Sequence, residues 1–280
     1  MTSMESTTAL ELLPTVAWGD KEITRLIIGG NQIRGFSHVS PELDAEMRDY
    51  HTVENTVASW LRAEACGLNT MQSRGDAAIF ERLRAYRERG GTMQWICQTA
   101  GEHPDPFQNI REIAEHNPIG IYHHGSISDE LWQEGAFDQV EDRLKAMRDT
   151  GAMVGIAAHI PEILRYVEDK GWDVDFYMTC FYNIAKAERR DLVAEGAQNV
   201  EPFDDEDRDV TCEFIRQTEK PCIAYKILGA SRKCGSPDTV REAFRFAFDR
   251  IKPTDVVNVG MFQKHVDQLA MNSAIVRDLA

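Results

Sequence analysis

Eight short runs of strand-forming residues alternate along this chain with stretches whose apolar residues have helical spacing. No other feature of the sequence constrains the fold as strongly. The runs are RLIIGGN (25–31), LNTMQSRGD (68–76), TMQWICQTAGE (92–102), IGIYHHG (119–125), MVGIAAH (153–159), DFYMTCFYN (175–183), CIAYKILGASR (222–232) and VVNVGMF (256–262). Strand and helix alternating eight times is the layout of a (β/α)₈ barrel. We therefore predict an α/β fold with a single TIM barrel.

The chain length agrees with one barrel and a short extension. A barrel of this type needs about 250 residues, and the chain has 280. No Gly/Ser/Pro-rich linker interrupts the pattern, so we predict a single domain over 1–280. Residues 1–23 form a loosely structured lead-in that covers the bottom of the barrel. The polar segment 184–205, after the sixth strand, is long enough to serve as a lid or specificity loop.

Several helix boundaries follow from local signals. Gly67 ends the helix that begins near Val53, in the usual carboxyl-terminal glycine position. We predict one continuous helix over 129–150 with Ser128 as its cap, a long loop over 33–52, and a last helix from about 263.

Composition and charge exclude several classes of protein. The formal net charge of −15 argues against a nucleic-acid partner, because phosphates need a basic surface. No apolar run reaches the roughly 18 residues that a membrane span requires, and the first twenty residues lack the pattern of a signal peptide. Six cysteines without CxxC pairs suit a reducing compartment. We predict a cytoplasmic protein with no nucleic-acid or membrane partner; the sequence leaves the oligomeric state open.

Reactive side chains collect at the carboxyl ends of the predicted strands. They are His38, Asp76, Glu102, His123, His159, Tyr182, Asn183 and Lys226. In a barrel these strand ends surround one active site. The sequence therefore predicts an enzyme with a small-molecule substrate.

Two roles are open for the histidines. His38, Glu102, His123 and His159 form a candidate ligand set for Zn²⁺, Mn²⁺, Fe²⁺ or Ni²⁺, since imidazole and carboxylate together suit these ions. The same histidines also suit acid–base or hydrogen-bonding roles. His124 faces away from His123 by strand alternation and has a structural or supporting role.

Lysine, tyrosine and aspartate complete the catalytic candidates, His123, Lys226, Tyr182 and Asp76. Lys226 lies in an apolar strand, where an unpaired charge is costly, so it is either an active base or half of an ion pair. Asp76 is catalytic or caps the following helix. The candidate substrate-binding residues are Asn31, Gln98, Asn183 and Arg232, the last in a loop (229–236) placed where barrels often bind phosphate.

The second half of the chain resembles the aldo-keto reductase barrel. The resemblance rests on GAMVGIAAHIPEILRYVEDKGWDVDFYMTCFYN (151–183), on IYHHG (121–125) and on VGMFQKHVDQLAMN (259–272). It implies a barrel fold and, on His123, the histidine of the family's Asp-Tyr-Lys-His tetrad. The chain departs from the other three positions: it has Gln98 and Thr99 in place of the lysine, Asp76 several positions late, and no tyrosine in the following loop.

These observations leave three functions open. The first is a lyase, isomerase or hydrolase that uses acid–base chemistry, with or without a divalent metal, on a small polyhydroxy or carbonyl compound. The second, implied by the resemblance, is an NAD(P)H-dependent oxidoreductase with a rearranged acid. The third is a non-catalytic binding subunit built on the same barrel.

Overall fold

The computed structural model describes residues 11–185 and 203–280, and its centre is a closed parallel barrel. All eight predicted runs contribute a strand, so the predicted TIM-barrel fold is confirmed. The barrel strands are β3 (Leu26–Gly29), β4 (Thr70–Arg74), β5 (Gln94–Gln98), β6 (Gly120–His123), β7 (Met153–Ala158), β8 (Phe176–Cys180), β9 (Cys222–Tyr225) and β10 (Val256–Gly260). The barrel closes where β10 pairs in parallel with β3, Asn258 beside Ile27.

The described part of the amino-terminal lead-in, from residue 11 onward, is more ordered than predicted. Two antiparallel strands, β1 (Thr15–Trp18) and β2 (Lys21–Thr24), form a hairpin just before the barrel. Trp18 is buried, and its ring centroid lies 4.8 Å from that of Phe176 at the start of β8. The hairpin therefore closes the amino-terminal end of the barrel and leaves the other end for a site. The single-domain assignment stays a prediction.

Helices surround the barrel. Those of the described residues are α1 (Pro41–Tyr50), α2 (Val53–Ala65), α3 (Ala77–Glu88), α4 (Pro106–Ala114), α5 (Gly125–Gln133), α6 (Asp138–Arg148), α7 (Pro161–Asp169), α8 (Asp207–Gln217), α9 (Pro237–Arg250) and α10 (Gln268–Leu279). Their amino termini carry the expected signals: the side chains of Ser40, Thr52 and Ser236 each accept a backbone hydrogen bond from the first turn. Gly67 follows α2 with φ +92°, as predicted. No helix in the described ranges has both the length and the apolar character that crossing a membrane requires.

Four predictions about helices and their boundaries were wrong. The predicted helix 129–150 is two helices, α5 and α6, because Gly135 adopts φ +71° and breaks the chain direction between them. Ser128 is not a cap but lies inside α5. The loop 33–52 contains α1, and the last helix begins at Gln268, where Asp267 caps it. Most of the predicted loop 184–205 lies outside the described residues.

Strand alternation divides the apolar residues into two cores. One lies between strands and helices, and the smaller one fills the barrel with Ile27, Ile96, Tyr122, Met178 and Ile223 among others. Inward positions follow with period two, so that β4 turns Gln72 and Arg74 inward and Met71 outward. The barrel interior is apolar at its lower levels and polar at the carboxyl-terminal end.

Candidate functional site

A cavity of about 850 Å³ opens at the carboxyl ends of the strands. Its floor is a polar layer of inward-facing side chains, where barrels usually carry branched apolar residues. Tyr122 donates a hydrogen bond to Gln98 Oε1 at 3.0 Å, and Asn258 donates to Gln72 Oε1 at 3.1 Å. Burial holds the pKa of the Tyr122 phenol well above its ordinary value, so it stays a hydrogen-bond donor. This layer presents donors and acceptors to a polar ligand.

A histidine–aspartate pair stands at one side of the cavity. His159, just after β7, lines the cavity, and its Nδ1 lies 2.6 Å from Asp129 Oδ2. Asp129 comes from α5 and is buried; its Oδ1 accepts from the backbone N–H groups of His159 at 3.0 Å and Ile160 at 3.2 Å. Because an ionised carboxylate only accepts hydrogen bonds, the His159 proton sits on Nδ1 and the Nε2 lone pair is available as a base.

A second polar pair connects Lys226 to the loop after β3. Lys226 is the first residue after β9, so the prediction that it lies within the strand was wrong. Lys226 Nζ lies 2.7 Å from His38 Nε2, and both residues line the cavity. Arg232 donates to the backbone carbonyl of His38 at 3.0 Å, although its own side chain does not line the cavity. The two predicted residues, Lys226 and His38, are therefore brought together with His159 in one cavity.

The backbone around this pair is strained. Five non-glycine residues in the described ranges have positive φ, and four of them line the cavity, namely His38, Lys226, Ala230 and Ser231. Left-handed conformations cost free energy for residues other than glycine, and they cluster at functional sites. The strain marks this side of the cavity as specialised.

The prediction that His123 shares the cavity with His159 was wrong. β6 turns Tyr122 and His124 inward, so His123 points outward between the strand and the helices. There its Nδ1 lies 2.8 Å from Ser128 Oγ, and Arg143 Nη1 lies 3.1 Å from its Nε2. Burial lowers the pKa of His123 to about 3, so the ring is neutral.

His124 takes the place predicted for His123. It lines the cavity, and its alternation relative to His123 is as predicted. Burial, followed by the charges of Arg74 and His159, lowers the pKa of His124 to about 3. A neutral His124 is therefore a hydrogen-bonding group of the cavity wall rather than a charge.

Asp76 and Glu102 lie outside the cavity lining. Asp76 caps α3, accepting from Ile79 N at 3.0 Å, as one of the two alternatives predicted. Its Oδ2 lies 3.5 Å from Arg34 Nε and 3.4 Å from Arg74 Nε. Glu102 contacts the Arg74 guanidinium and is 66% exposed. Neither carboxylate lines the cavity.

Tyr182 and Asn183 also lie outside the cavity lining. Tyr182 is buried, its ring packs edge-on against Phe203, and desolvation raises its pKa to about 12. The Asn183 side chain accepts from Ala185 N at 3.2 Å, a local turn contact. Of the predicted substrate-binding residues, Asn31 and Gln98 line the cavity, whereas Asn183 and Arg232 do not.

The predicted metal-ligand set does not converge. His123 faces away from His159, and Glu102 pairs with an arginine. Within residues 11–185 and 203–280, no three His, Cys, Asp or Glu side chains form a group that could hold a metal ion. Dependence on a divalent metal or on NAD(P)H stays a prediction.

Several residues at the cavity were not predicted from the sequence. They are Gln72, Arg74, Arg34, Tyr225 and Asn258. Asp129, which contacts His159 without lining the cavity, was also missed. Period-two counting back from the strand ends would have found Gln72, Arg74, Tyr225 and Asn258. No sequence signal marks Asp129, which reaches His159 from 30 residues away.

Comparisons with known proteins add little. No protein-family model and no curated protein matches the chain. Among solved structures, a dihydropteroate synthase from Xanthomonas albilineans, in complex with indole-2-carboxylic acid and 6-chloroguanine, is similar with a TM-score of 0.48 and 13% identity, over 95% of this chain and 96% of that one. A likeness this weak carries no argument about activity, and the aldo-keto reductase resemblance stays a prediction.

Proposed function

We propose that this barrel is an enzyme that moves a proton on a small hydroxyl- or carbonyl-bearing compound, with His159 as the general base. A lyase or isomerase reaction of this kind begins when a base removes a proton beside a carbonyl or from a hydroxyl group. The observation that carries the proposal is the His159–Asp129 pair at the wall of the cavity. Asp129 keeps the proton on Nδ1 and stabilises the imidazolium that forms when Nε2 takes a second proton.

The second requirement of such a reaction is a group that stabilises the negative charge created when the proton is removed. Lys226 supplies an ammonium group in the same cavity, and Tyr122 and Gln98 supply a hydrogen-bonded polar floor. Fixed positive charge and donors aimed at a developing oxyanion contribute strongly in a water-poor site. His159 and Lys226 together therefore provide both halves of a proton transfer.

The experiment uses the protein without any assumed substrate. The full chain is incubated in D₂O with a panel of hydroxy acids, ketoses, aldoses and their phosphates, and proton–deuterium exchange is followed by NMR, with and without a chelator. We expect exchange on at least one compound, and His159→Gln to slow it by roughly 100-fold or more. His123→Gln, an equally buried histidine outside the cavity, serves as the matched variant and should cost less than about tenfold.

Circular dichroism and thermal melts establish that both variants fold. Equal exchange in His159→Gln and the unaltered protein would remove His159 from the mechanism. Loss of exchange in His123→Gln with His159→Gln unaffected would restore the residue that the family resemblance favours.

A nicotinamide-dependent reduction is the second candidate. The reductase chemistry needs an acid that protonates the forming alkoxide, and the sequence offers no tyrosine at the family's position. The cavity nevertheless contains two phenols, Tyr122 and Tyr225, from neighbouring parts of its floor. Titration of the protein with NADPH, followed by quenching of the cofactor fluorescence, tests this candidate; quenching together with NADPH-dependent turnover that survives His159→Gln would favour reduction.

A further inference from the structure

Among the described residues that line the cavity, the Arg and Lys side chains are the charged groups. Arg34, Arg74 and Lys226 line it, and within the described ranges no Asp or Glu side chain does. The chain as a whole has 46 acidic and 31 basic residues. The negative electrostatic potential of the remaining surface repels anions. A basic cavity in so acidic a protein therefore indicates a negatively charged ligand.

Two of the cations form a pair on one side of the barrel. Arg34 follows β3 and Arg74 ends β4, and the two strands are neighbours. The Arg74 side chain is only 11% exposed. Burial is the main cause that lowers its pKa; the Asp76 charge opposes this effect, and the neighbouring Arg34 charge lowers the pKa further. Two guanidinium groups held together at a partly buried wall are costly unless negative charge faces them.

The carboxylate beside this pair does not satisfy it. Asp76 Oδ2 lies 3.4–3.5 Å from both Nε atoms, but accepts a hydrogen bond from neither. Its other oxygen is used as the cap of α3. Asp76 therefore holds the two arginines by charge, and the buried Nε of Arg74 still lacks a hydrogen-bond partner. Guanidinium N–H groups of this kind suit an oxyanion.

We propose that the substrate carries an oxyanion, a carboxylate or a phosphate, which Arg34 and Arg74 hold against the wall formed by β3 and β4. The inference rests on the proposed function for its catalytic meaning. β7, which carries His159, lies on the opposite side of the closed barrel from β3 and β4. A substrate anchored at the arginines thus extends across the cavity and presents its far carbon to His159.

Glu102 already contacts one arginine of this anchor. Its carboxylate contacts Arg74 from an exposed loop, 66% exposed, and competes for the same guanidinium that the substrate anion would bind. The Glu102 side chain is exposed, so an anion that takes its place at Arg74 returns that carboxylate to water. Removing the Glu102 charge should therefore tighten anion binding, an effect that damage to the fold would not produce.

The test measures binding of two probes, inorganic phosphate and acetate, to the full chain by isothermal titration calorimetry at low ionic strength. We expect at least one probe to bind with a Kd on the order of 1 mM. Arg74→Met should weaken that binding roughly 10- to 100-fold, and Arg34→Met should weaken it also. Glu102→Gln should tighten it several-fold, whereas Glu115→Gln, an exposed carboxylate elsewhere, should leave it unchanged.

The two probes distinguish a phosphate group from a carboxylate group on the substrate. Binding of phosphate alone assigns a phosphate monoester, and binding of acetate alone assigns a carboxylic acid. The proposal is overturned if neither probe binds more tightly than roughly 10 mM, or if Arg74→Met and Glu102→Gln both bind like the unaltered protein. Should Arg74→Met fail to fold, Arg34→Met and Glu102→Gln decide the matter. His159→Gln should bind the probe within about twofold of the unaltered protein, so failure of the proton-transfer function leaves this result intact.

Discussion

The buried carboxylate of Asp129 should have separable effects on stability and on activity. It accepts three hydrogen bonds, from the backbone N–H groups of His159 and Ile160 and from His159 Nδ1. Ile160 is the N-cap residue of α7 and provides no side-chain cap, so Asp129, from another helix, binds the backbone just before the first turn of α7. The perturbations are Asp129→Ala, which removes every acceptor, and Asp129→Asn, which keeps one.

The magnitudes follow from these contacts. Asp129→Ala leaves two buried N–H groups and an imidazole N–H without partners, which costs about 3–5 kcal/mol of unfolding free energy. Asp129→Asn still presents an amide oxygen to the backbone N–H groups, so its cost should be about 1 kcal/mol. Its NH₂ group, however, now donates to His159 Nδ1 and drives the proton to Nε2. The base then lacks its lone pair in the cavity, and proton exchange should fall by roughly 10³-fold or more.

Two measurements check this prediction. Urea denaturation, followed by tryptophan fluorescence, gives the unfolding free energies, with Asp20→Asn as the control because that carboxylate is 88% exposed. Two-bond ¹⁵N–¹H NMR spectra of the imidazole report which nitrogen carries the proton. The reasoning is refuted if Asp129→Asn keeps the Nδ1-protonated tautomer, or if Asp129→Ala costs less than about 1 kcal/mol.

Three further predictions concern the barrel itself. A Cβ at Gly155 would lie 2.4 Å from the Phe176 ring, so Gly155→Ala should cost about 1–3 kcal/mol by urea denaturation, whereas Gly235→Ala, with nothing within 4 Å, should change little. Trp18→Ala should lower the unfolding free energy by about 3–5 kcal/mol and open the amino-terminal end of the barrel. Increased binding of a fluorescent apolar dye would report the opening, and an unchanged unfolding free energy would show that the hairpin does not close the barrel. Burial lowers the pKa of His123 and His124 to about 3. As the pH falls below about 6.5, these histidines therefore bind protons in the unfolded chain but not in the folded one. Stability should therefore drop by roughly 2 kcal/mol for each histidine between pH 7 and pH 5, and His123→Gln should remove about half of that slope.

The sequence predicted the architecture because its signal is periodic and local. Each strand run is bounded by turn residues, and eight alternations leave few other topologies. Chain-local rules identified Gly67 after α2 and offered the cap of α3 as one of two roles for Asp76, and both features occur. The prediction of one helix over 129–150 was wrong because Gly135 has a positive φ and ends the first of two helices. A single glycine inside a helical pattern can continue the helix or end it, and the sequence does not distinguish the two.

The choice between His123 and His124 shows where local reasoning ends. Alternation places the two rings on opposite sides of β6, and that much follows from the sequence. Both faces of a barrel strand are buried. Ile121 and Tyr122, on opposite faces of β6, are both buried and hydrophobic, so the sequence does not show which face of β6 points into the barrel. The register of β6 against β5 and β7 decided that Tyr122 and His124 face inward.

The sequence alone thus determined the strand–helix order, the set of reactive side chains at strand ends, and the excess of negative charge. Only the tertiary structure decided which of those side chains meet. His159 and Asp129 are 30 residues apart, and Lys226 and His38 are 188 apart. Such contacts depend on closing the barrel between β10 and β3, which sets the rotation of every strand at once, and no short-range pattern encodes that rotation.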